Sequence, residues 1–189
     1  MKNIAVFCGS SMGNHPEFME QAMALGRHLA VQGIGLVYGG ARVGLMGVVA
    51  DAVLAHGGEA TGVIPRFLAG KELEHTGLTR LIWVDSMHKR KQLIHEMCDG
   101  VIALPGGFGT LDELFEALTW GQLGLHAKPT GILNTDGFYD HLLAFADQMV
   151  QSGLLKQSNR DMILVDQNPE ALLGRMKAYQ PPAGGKWIR

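Results

Sequence analysis

The sequence predicts an α/β fold, a parallel sheet with helices on both faces, and three observations predict it. Continuous apolar runs such as Ile4 to Cys8 and Val101 to Leu104 read as strands buried on both sides, since a strand with one wet face would alternate. Segments of helical periodicity stand between these runs, and no hairpin signal joins any two of them. The 189 residues, 47% hydrophobic and 18% charged, are enough for one domain with a full core. Right-handed crossovers then give a doubly wound, Rossmann-like layer, assigned to residues 1–179, with a Pro- and Gly-rich tail over 180–189 expected to fray.

Each element follows from local chemistry. Ile4 to Cys8 is the first strand. Pro16 opens a helix that carries Phe18, Ala22, Leu25 and Leu29 on one face, and Gly33 ends it. Gly35 to Tyr38 is the second strand. A helix from about Leu45 to Ala55 buries Val48, Val49, Ala52 and Val53, and Gly57-Gly58 stop it. Glu59 to Ile64 is a third strand, ended by Pro65, and residues 66–77 read as irregular or weakly helical, a mobile surface segment or lid. Thr79 to Val84 is a fourth strand, with Asp85-Ser86 capping a helix from Met87 to Cys98. Val101 to Leu104 leads through glycines into a helix opening at Thr110 and running past Trp120. Pro129 to Leu133 is a sixth strand, and a helix from Phe138 to Gln151 turns Leu142, Phe145, Ala146 and Met149 inward. Met162 to Val165 is the last strand, and Asn168-Pro169 caps a final helix to about Tyr179.

Three glycine-rich loops leave strands at their carboxyl ends: Gly9-Ser10, Gly39 to Gly44, and Gly106 to Thr110. That edge is where doubly wound sheets bind ligands. The third loop has the order strand, glycines, helix N-terminus, which suits an anion because the backbone comes close and the first N–H groups point at it. Asp112, Glu113 and Glu116 follow at once, and acids beside an anion site need a reason. Thr110 with Glu113 forms a capping-box pattern, so capping and catalysis both stand open on geometry alone. Met87, Arg90 and Lys91 lie on one face of the preceding helix, close to its start. Cations there oppose the helix dipole at roughly 0.3–1 kcal/mol each, so an anionic ligand, or pairing with Glu113 or Glu116, explains them better than a solvated basic run.

The paired motif Met87-x-x-Arg90-Lys91 and Pro105-Gly106-Gly107-x-Gly109-Thr110-x-x-Glu113, with GGARVGLMG over residues 39–47, resembles the Lonely Guy family of nucleoside 5'-monophosphate phosphoribohydrolases, which also carries a lysine decarboxylase label. The resemblance runs from Cys8-Gly9-Ser10 to about Val165. It implies hydrolysis of the N-glycosidic bond of AMP or a cytokinin riboside monophosphate, with Arg90 and Glu113 as the catalytic pair. It further implies a substrate site drawn from Ser10, Gly39, Gly40, Glu72, Met87, Lys91, Gly106, Gly107, Phe108, Gly109, Thr110, Leu111, Asp112, Glu116 and Thr119. Glu116 is placed on the ribose hydroxyls, with a salt bridge to a nearby base as its plainer role. The family also implies a homodimer or higher homo-oligomer and no cofactor. The other readings are a nucleotide or molybdopterin carrier without turnover, and a decarboxylase with pyridoxal phosphate on Lys91.

Charge and composition narrow the partners. A formal net charge of −2 gives no electrostatic footprint for nucleic acid, and the N-terminal apolar run is too short for a signal peptide or a membrane span. Two cysteines form no disulfide framework, which points to the cytoplasm. The eight histidines show no metal-ligand spacing, and no metal is expected. His15, His28, His56 and His141 read as surface residues, Cys8 as a packed thiol and Trp120 as core. Trp120, Gln122 and His126 stand where the helix exits and could also pack a base or a partner.

Overall fold

The computed structural model describes residues 1–68 and 73–182. Seven strands form one sheet: β1 (Asn3–Phe7), β2 (Gly35–Tyr38), β3 (Ala60–Pro65), β4 (Arg80–Val84), β5 (Gly100–Ala103), β6 (Thr130–Leu133) and β7 (Ile163–Asp166). Their order is β4-β3-β2-β1-β5-β6-β7 and every pairing is parallel. The strand order reverses between β1 and β5, which opens a crevice beyond their carboxyl ends.

Helices α1 (Pro16–Val31), α2 (Gly44–Ala55) and α7 (Pro169–Ala178) cover one face, and α3 (Met87–Met97), α4 (Phe108–Gln122) and α5 (Asp140–Gln151) the other; α6 (Gln157–Arg160) is a single turn that the sequence reading does not contain. Along β1, Ile4 and Val6 join the α1/α2/α7 core while Ala5 and Phe7 join the α3/α4 core. Both sides of the strand are dry, as its unbroken apolar run requires. Phe18, Ala22, Leu25 and Leu29 of α1 are buried as expected. In α2, Val49, Ala52 and Val53 are buried and Val48 is half-buried.

Some boundaries and faces differ from expectation. α4 begins at Phe108, two residues earlier than expected, because Gly107 takes the extended cap conformation, and no side chain among the described residues caps the helix. Thr110 is therefore inside the first turn and Glu113 beyond it, so the capping-box reading fails. α5 starts at Asp140 after a 3₁₀ turn over Thr135–Gly137, and Phe145 is 53% exposed. Leu142 packs on the core and Ala146 is buried as expected, Met149 is half-buried, and Leu143 packs inward beside them. Ser86 caps α3 by accepting from the Lys89 N–H, and Asn168 caps α7 through the Ala171 N–H.

Residues 66–77 open with a 3₁₀ turn over Arg66–Leu68. Glu72 lies outside the described residues. Beyond it the chain is ordered by pairing rather than irregular: Glu74 bridges Ala41 antiparallel, the Arg42 N–H donates to the Leu73 carbonyl at 2.8 Å, and the His75 N–H donates to the Gly40 carbonyl at 2.9 Å.

Candidate active site

The three glycine loops meet. The Gly9 N–H donates to the Pro105 carbonyl at 3.0 Å, and the Leu45 N–H donates to the Gly9 carbonyl at 3.1 Å. Side chains would not fit between them. A Cβ on Gly106 would collide with the Thr110 hydroxyl, and one on Gly44 with the Ser10–Ser11 backbone. Gly44 also holds φ +57°, which favours glycine. Gly9, Ser10, Ser11, Pro105, Gly106 and Gly107 line a cavity of about 260 Å³ in front of α4, closed on its far side by Phe18 and Phe138. The N-terminus of a 15-residue helix faces it, so the site suits an anion. A larger cavity of about 570 Å³ between α1 and α2 is lined mostly by apolar groups, and it lies away from these loops.

Beside the loops, α3 and α4 present opposite charges to one another. Arg90 Nη2 lies 3.6 Å from Glu113 Oε1, with side chains 14% and 11% exposed. Lys91 Nζ lies 2.7 Å from Asp112 Oδ2 and 3.5 Å from Glu116 Oε1. Burial dominates Glu113 and pushes its carboxyl up to about 7, although the Arg90 and Lys91 charges pull it down. Burial alone would lower the Lys91 ammonium, but its hydrogen bonds and charge contacts with Asp112 and Glu116 outweigh that and hold it above its ordinary value. Cys8 is buried as a packed thiol, held up by burial and then by the Glu113 charge.

The pair has unused bonding capacity. Among the described residues, Arg90 Nε and Glu116 Oε2 are buried without a hydrogen-bond partner. Buried donors and acceptors are normally paired, so these two mark where a ligand's oxygens and hydroxyls would complete the site. Gly39 makes room for the guanidinium, since a Cβ there would strike Arg90 Nη2.

Other predicted site residues fall at varying distance from this pair. Met87 touches Arg90, its Sδ 3.7 Å from Nη1. Gly40 is buried behind Gly39 with φ +76°. Phe108 is 92% exposed at the mouth of the glycine loop and Gly109 is exposed next to it, whereas Leu111 packs into the α4/α5 core. Thr119 is exposed, roughly 9 Å along the helix axis from Glu113.

His15, His56 and His141 are exposed and His28 is half-buried. Two buried histidines carry no signal in the sequence. His75 bonds Asp51, and His95 packs 4.8 Å from the half-buried Trp120 ring with His126 stacked at 6.1 Å. A lone histidine in a polar or amphipathic stretch has no period to betray it. Among the described residues no group of three or more His, Cys, Asp or Glu is placed to hold a metal ion, and no helix is long and apolar enough to cross a membrane.

A doubly wound sheet with a glycine-built anion pocket, and a half-buried guanidinium facing a buried carboxylate beside it, defines a nucleotide-binding α/β protein equipped to act on its ligand. Residues 46–176 match the family described as possible lysine decarboxylase. A cytokinin riboside 5'-monophosphate phosphoribohydrolase of Arabidopsis thaliana is 44% identical over 180 residues, covering 95% of this chain and 84% of that protein. A probable enzyme of the same name from Oryza sativa subsp. japonica is 45% identical over 181 residues, covering 96% of this chain and 74% of that one. The chain belongs to this family, the Lonely Guy phosphoribohydrolases. The fold recurs in a molybdenum cofactor binding protein from Rippkaea orientalis (TM-score 0.72, 23% identity, 94% of this chain and 97% of that one). It recurs also in the molybdenum cofactor carrier protein of Chlamydomonas reinhardtii (TM-score 0.68, 20% identity, 94% and 98%).

Proposed function

We propose that this protein hydrolyses the N-glycosidic bond of an adenine-type nucleoside 5'-monophosphate, AMP or a cytokinin riboside monophosphate, to free base and ribose 5-phosphate. The observation that carries this reading is the Arg90–Glu113 pair, an acid tuned to about 7 against a guanidinium, beside a glycine loop at a helix N-terminus. A site for phosphate binding alone gains nothing from a buried acid, which repels the ligand.

The chemistry follows from the groups present. The phosphate docks on the Gly106 to Thr110 backbone, which places the ribose toward α3 and α4. As the bond between C1' and the base nitrogen breaks, its electron pair leaves with the base and positive charge develops on the sugar. Ionised Glu113 stabilises that charge and takes a proton from the water whose oxygen bonds to C1'. The departing base nitrogen takes up one proton from solvent and protonated Glu113 returns one to solvent, so water is consumed and the carboxylate is restored. Arg90 stays protonated, so it orients Glu113 and offsets charge rather than donating a proton. Glu116, steadied by Lys91, offers its free oxygen to the ribose hydroxyls.

The decarboxylase reading does not fit these residues. A Schiff-base lysine must offer a neutral amine, whereas the Lys91 ammonium is clamped between two carboxylates and held charged. The carrier reading shares the fold but gives Glu113 no task. Two buried free cysteines suit a reducing cytoplasm, and the exposed Phe115 and Phe145 on the outer α4/α5 surface suit a contact between copies of the chain.

Incubating the purified protein with AMP, isopentenyl-adenosine monophosphate and other nucleoside monophosphates, with chromatographic detection of free base, tests the reading. Release of base together with ribose 5-phosphate is the expected result. Tight nucleotide binding with no base released from any of them supports the carrier reading instead.

A further inference from the structure

Arg90 is aimed by packing more than by hydrogen bonds. Among the described residues its Nε has no partner, its Nη1 meets the weak acceptor Met87 Sδ, and its Nη2 stands 3.6 Å from Glu113, beyond good hydrogen-bond distance. What fixes the guanidinium sideways is the backbone wall at Gly39, so close that no Cβ fits between them. That wall belongs to an irregular turn, with Gly40 at φ +76°, and is only as firm as whatever holds the turn.

The turn is held from outside by residues 73–75. The Gly40 carbonyl accepts from the His75 N–H at 2.9 Å, the Arg42 N–H donates to Leu73 at 2.8 Å, and Ala41 bridges Glu74. The His75 ring is buried and satisfied on both sides. Its Nδ1 accepts from the Gly77 N–H at 3.1 Å, which leaves the proton on Nε2, and Nε2 donates to Asp51 Oδ1 of α2 at 2.9 Å. The Asp51 charge also acts on Tyr38, the residue before the turn, whose phenol is pushed up by burial first and by Asp51 next.

We propose that His75 is a positioning residue for the Arg90–Glu113 pair: docked on Asp51, it clamps the strap of residues 73–75 onto the Gly39–Ala41 turn, and the turn sets where the guanidinium stands. The assignment rests on the reading of that pair as the reacting centre. His75 touches neither Arg90 nor Glu113 and acts on them only through Gly40 and Gly39.

The test compares Asp51→Ala, Asp51→Asn, His75→Ala and His75→Gln with the wild-type full chain, reading AMP turnover and the titration of Glu113 by NMR of ¹³C-labelled glutamate. Asp51→Ala is expected to lower kcat about two- to tenfold, the span of one hydrogen bond's worth, with KM changed less than about twofold. It also moves the Glu113 midpoint upward, because the guanidinium that pulls it down is less well placed. Asp51→Asn keeps an oxygen acceptor for Nε2 and restores both readouts, which separates the bond from the charge. His75→Gln retains a donor for Asp51 and recovers part of what His75→Ala loses. Should His75→Ala fail to fold, Asp51→Ala decides, since that side chain is 73% exposed. Wild-type kcat and an unmoved Glu113 midpoint in Asp51→Ala overturn the proposal, as does a fall in kcat with the midpoint unmoved. If the wild-type protein releases no base, the functional reading fails, and the Glu113 titration still decides the positioning claim.

Discussion

Arg90, in the first turn of α3, and Glu113, in the second turn of α4, face each other across 3.6 Å, close enough to attract and too far for a good hydrogen bond. The gap leaves both groups able to turn toward a ligand. It also leaves Glu113 poorly compensated, so burial prevails and its carboxyl titrates near neutrality at about 7. Turnover by an ionised Glu113 should therefore rise as pH increases through about 7 and level off above it. Arg90→Ala should lower kcat by about 10²-fold and shift that limb to higher pH, because the guanidinium is what pulls the carboxyl down. A pH–rate profile of both proteins checks this, and a limb unmoved in Arg90→Ala counts against direct coupling.

Glu113→Gln should abolish most activity, by about 10²–10⁴-fold, while making the fold more stable. An acid whose folded pKa is raised from 4.5 to about 7 binds its proton more tightly in the folded state than in the unfolded one. It costs nothing below about pH 4.5; the cost builds as pH rises and is complete above about 7. The amide removes that cost, so the variant should gain roughly 1–3 kcal/mol at pH 8 and little at pH 4. Urea melts at the two pH values read the difference directly.

Gly39→Ala and Gly44→Ala should part company. At Gly39 the added methyl meets the far end of a flexible side chain, so the fold should lose about 1 kcal/mol or less while turnover drops at least tenfold as Arg90 is displaced. At Gly44 the methyl meets the Ser10–Ser11 backbone from a φ of +57°, and nothing there can swing aside. Gly44→Ala should cost about 1–3 kcal/mol and disorder the loop contacts of Gly9. Thermal unfolding beside steady-state kinetics separates an activity loss from a stability loss.

Much of this architecture was legible because it rests on signals spread over many residues. Ile4 to Cys8 reads as a doubly buried strand because every position is apolar, and the Phe18–Leu29 stripe of α1 because four residues agree on one phase. The start of α4 was misread since Thr110 and Glu113 mimic a capping box, whereas Gly107 caps earlier through backbone conformation alone. In α5 the phase holds at Leu142 and Ala146, and only Phe145, which has the right spacing, turns out to the solvent edge of the stripe while Leu143 packs inward. Within the site, local motifs brought Arg90 and Glu113 to adjacent helix starts. Asp51 and His75 could not be paired by any motif, because only the folded chain brings α2 and the 73–77 strap together.

His95 yields the final prediction, with a sign opposite to that of Glu113. Its ring is buried against Trp120, neither nitrogen has a hydrogen-bond partner among the described residues, and burial first, then the charges of His126, Lys128 and Lys91, depress it to about 4. The half-buried His126 beside it is lowered as well, again by burial first. The unfolded chain takes up a proton near pH 6.5 that the folded chain refuses until about 4, so stability falls as pH drops through that interval. The acid-side loss from His95 opposes the gain that Glu113 gives over nearly the same interval, and the wild-type pH–stability curve should look deceptively flat there. His95→Phe removes both unpartnered nitrogens, keeps a ring against Trp120 and should stabilise the protein more at pH 5 than at pH 8. In Glu113→Gln the losses at His95 and His126 are no longer opposed, so that variant should lose stability visibly between pH 6.5 and 4, and the double variant, which keeps only the His126 part, should lose less. Urea melts of the four proteins across that range decide whether two opposed titrations underlie the flat curve.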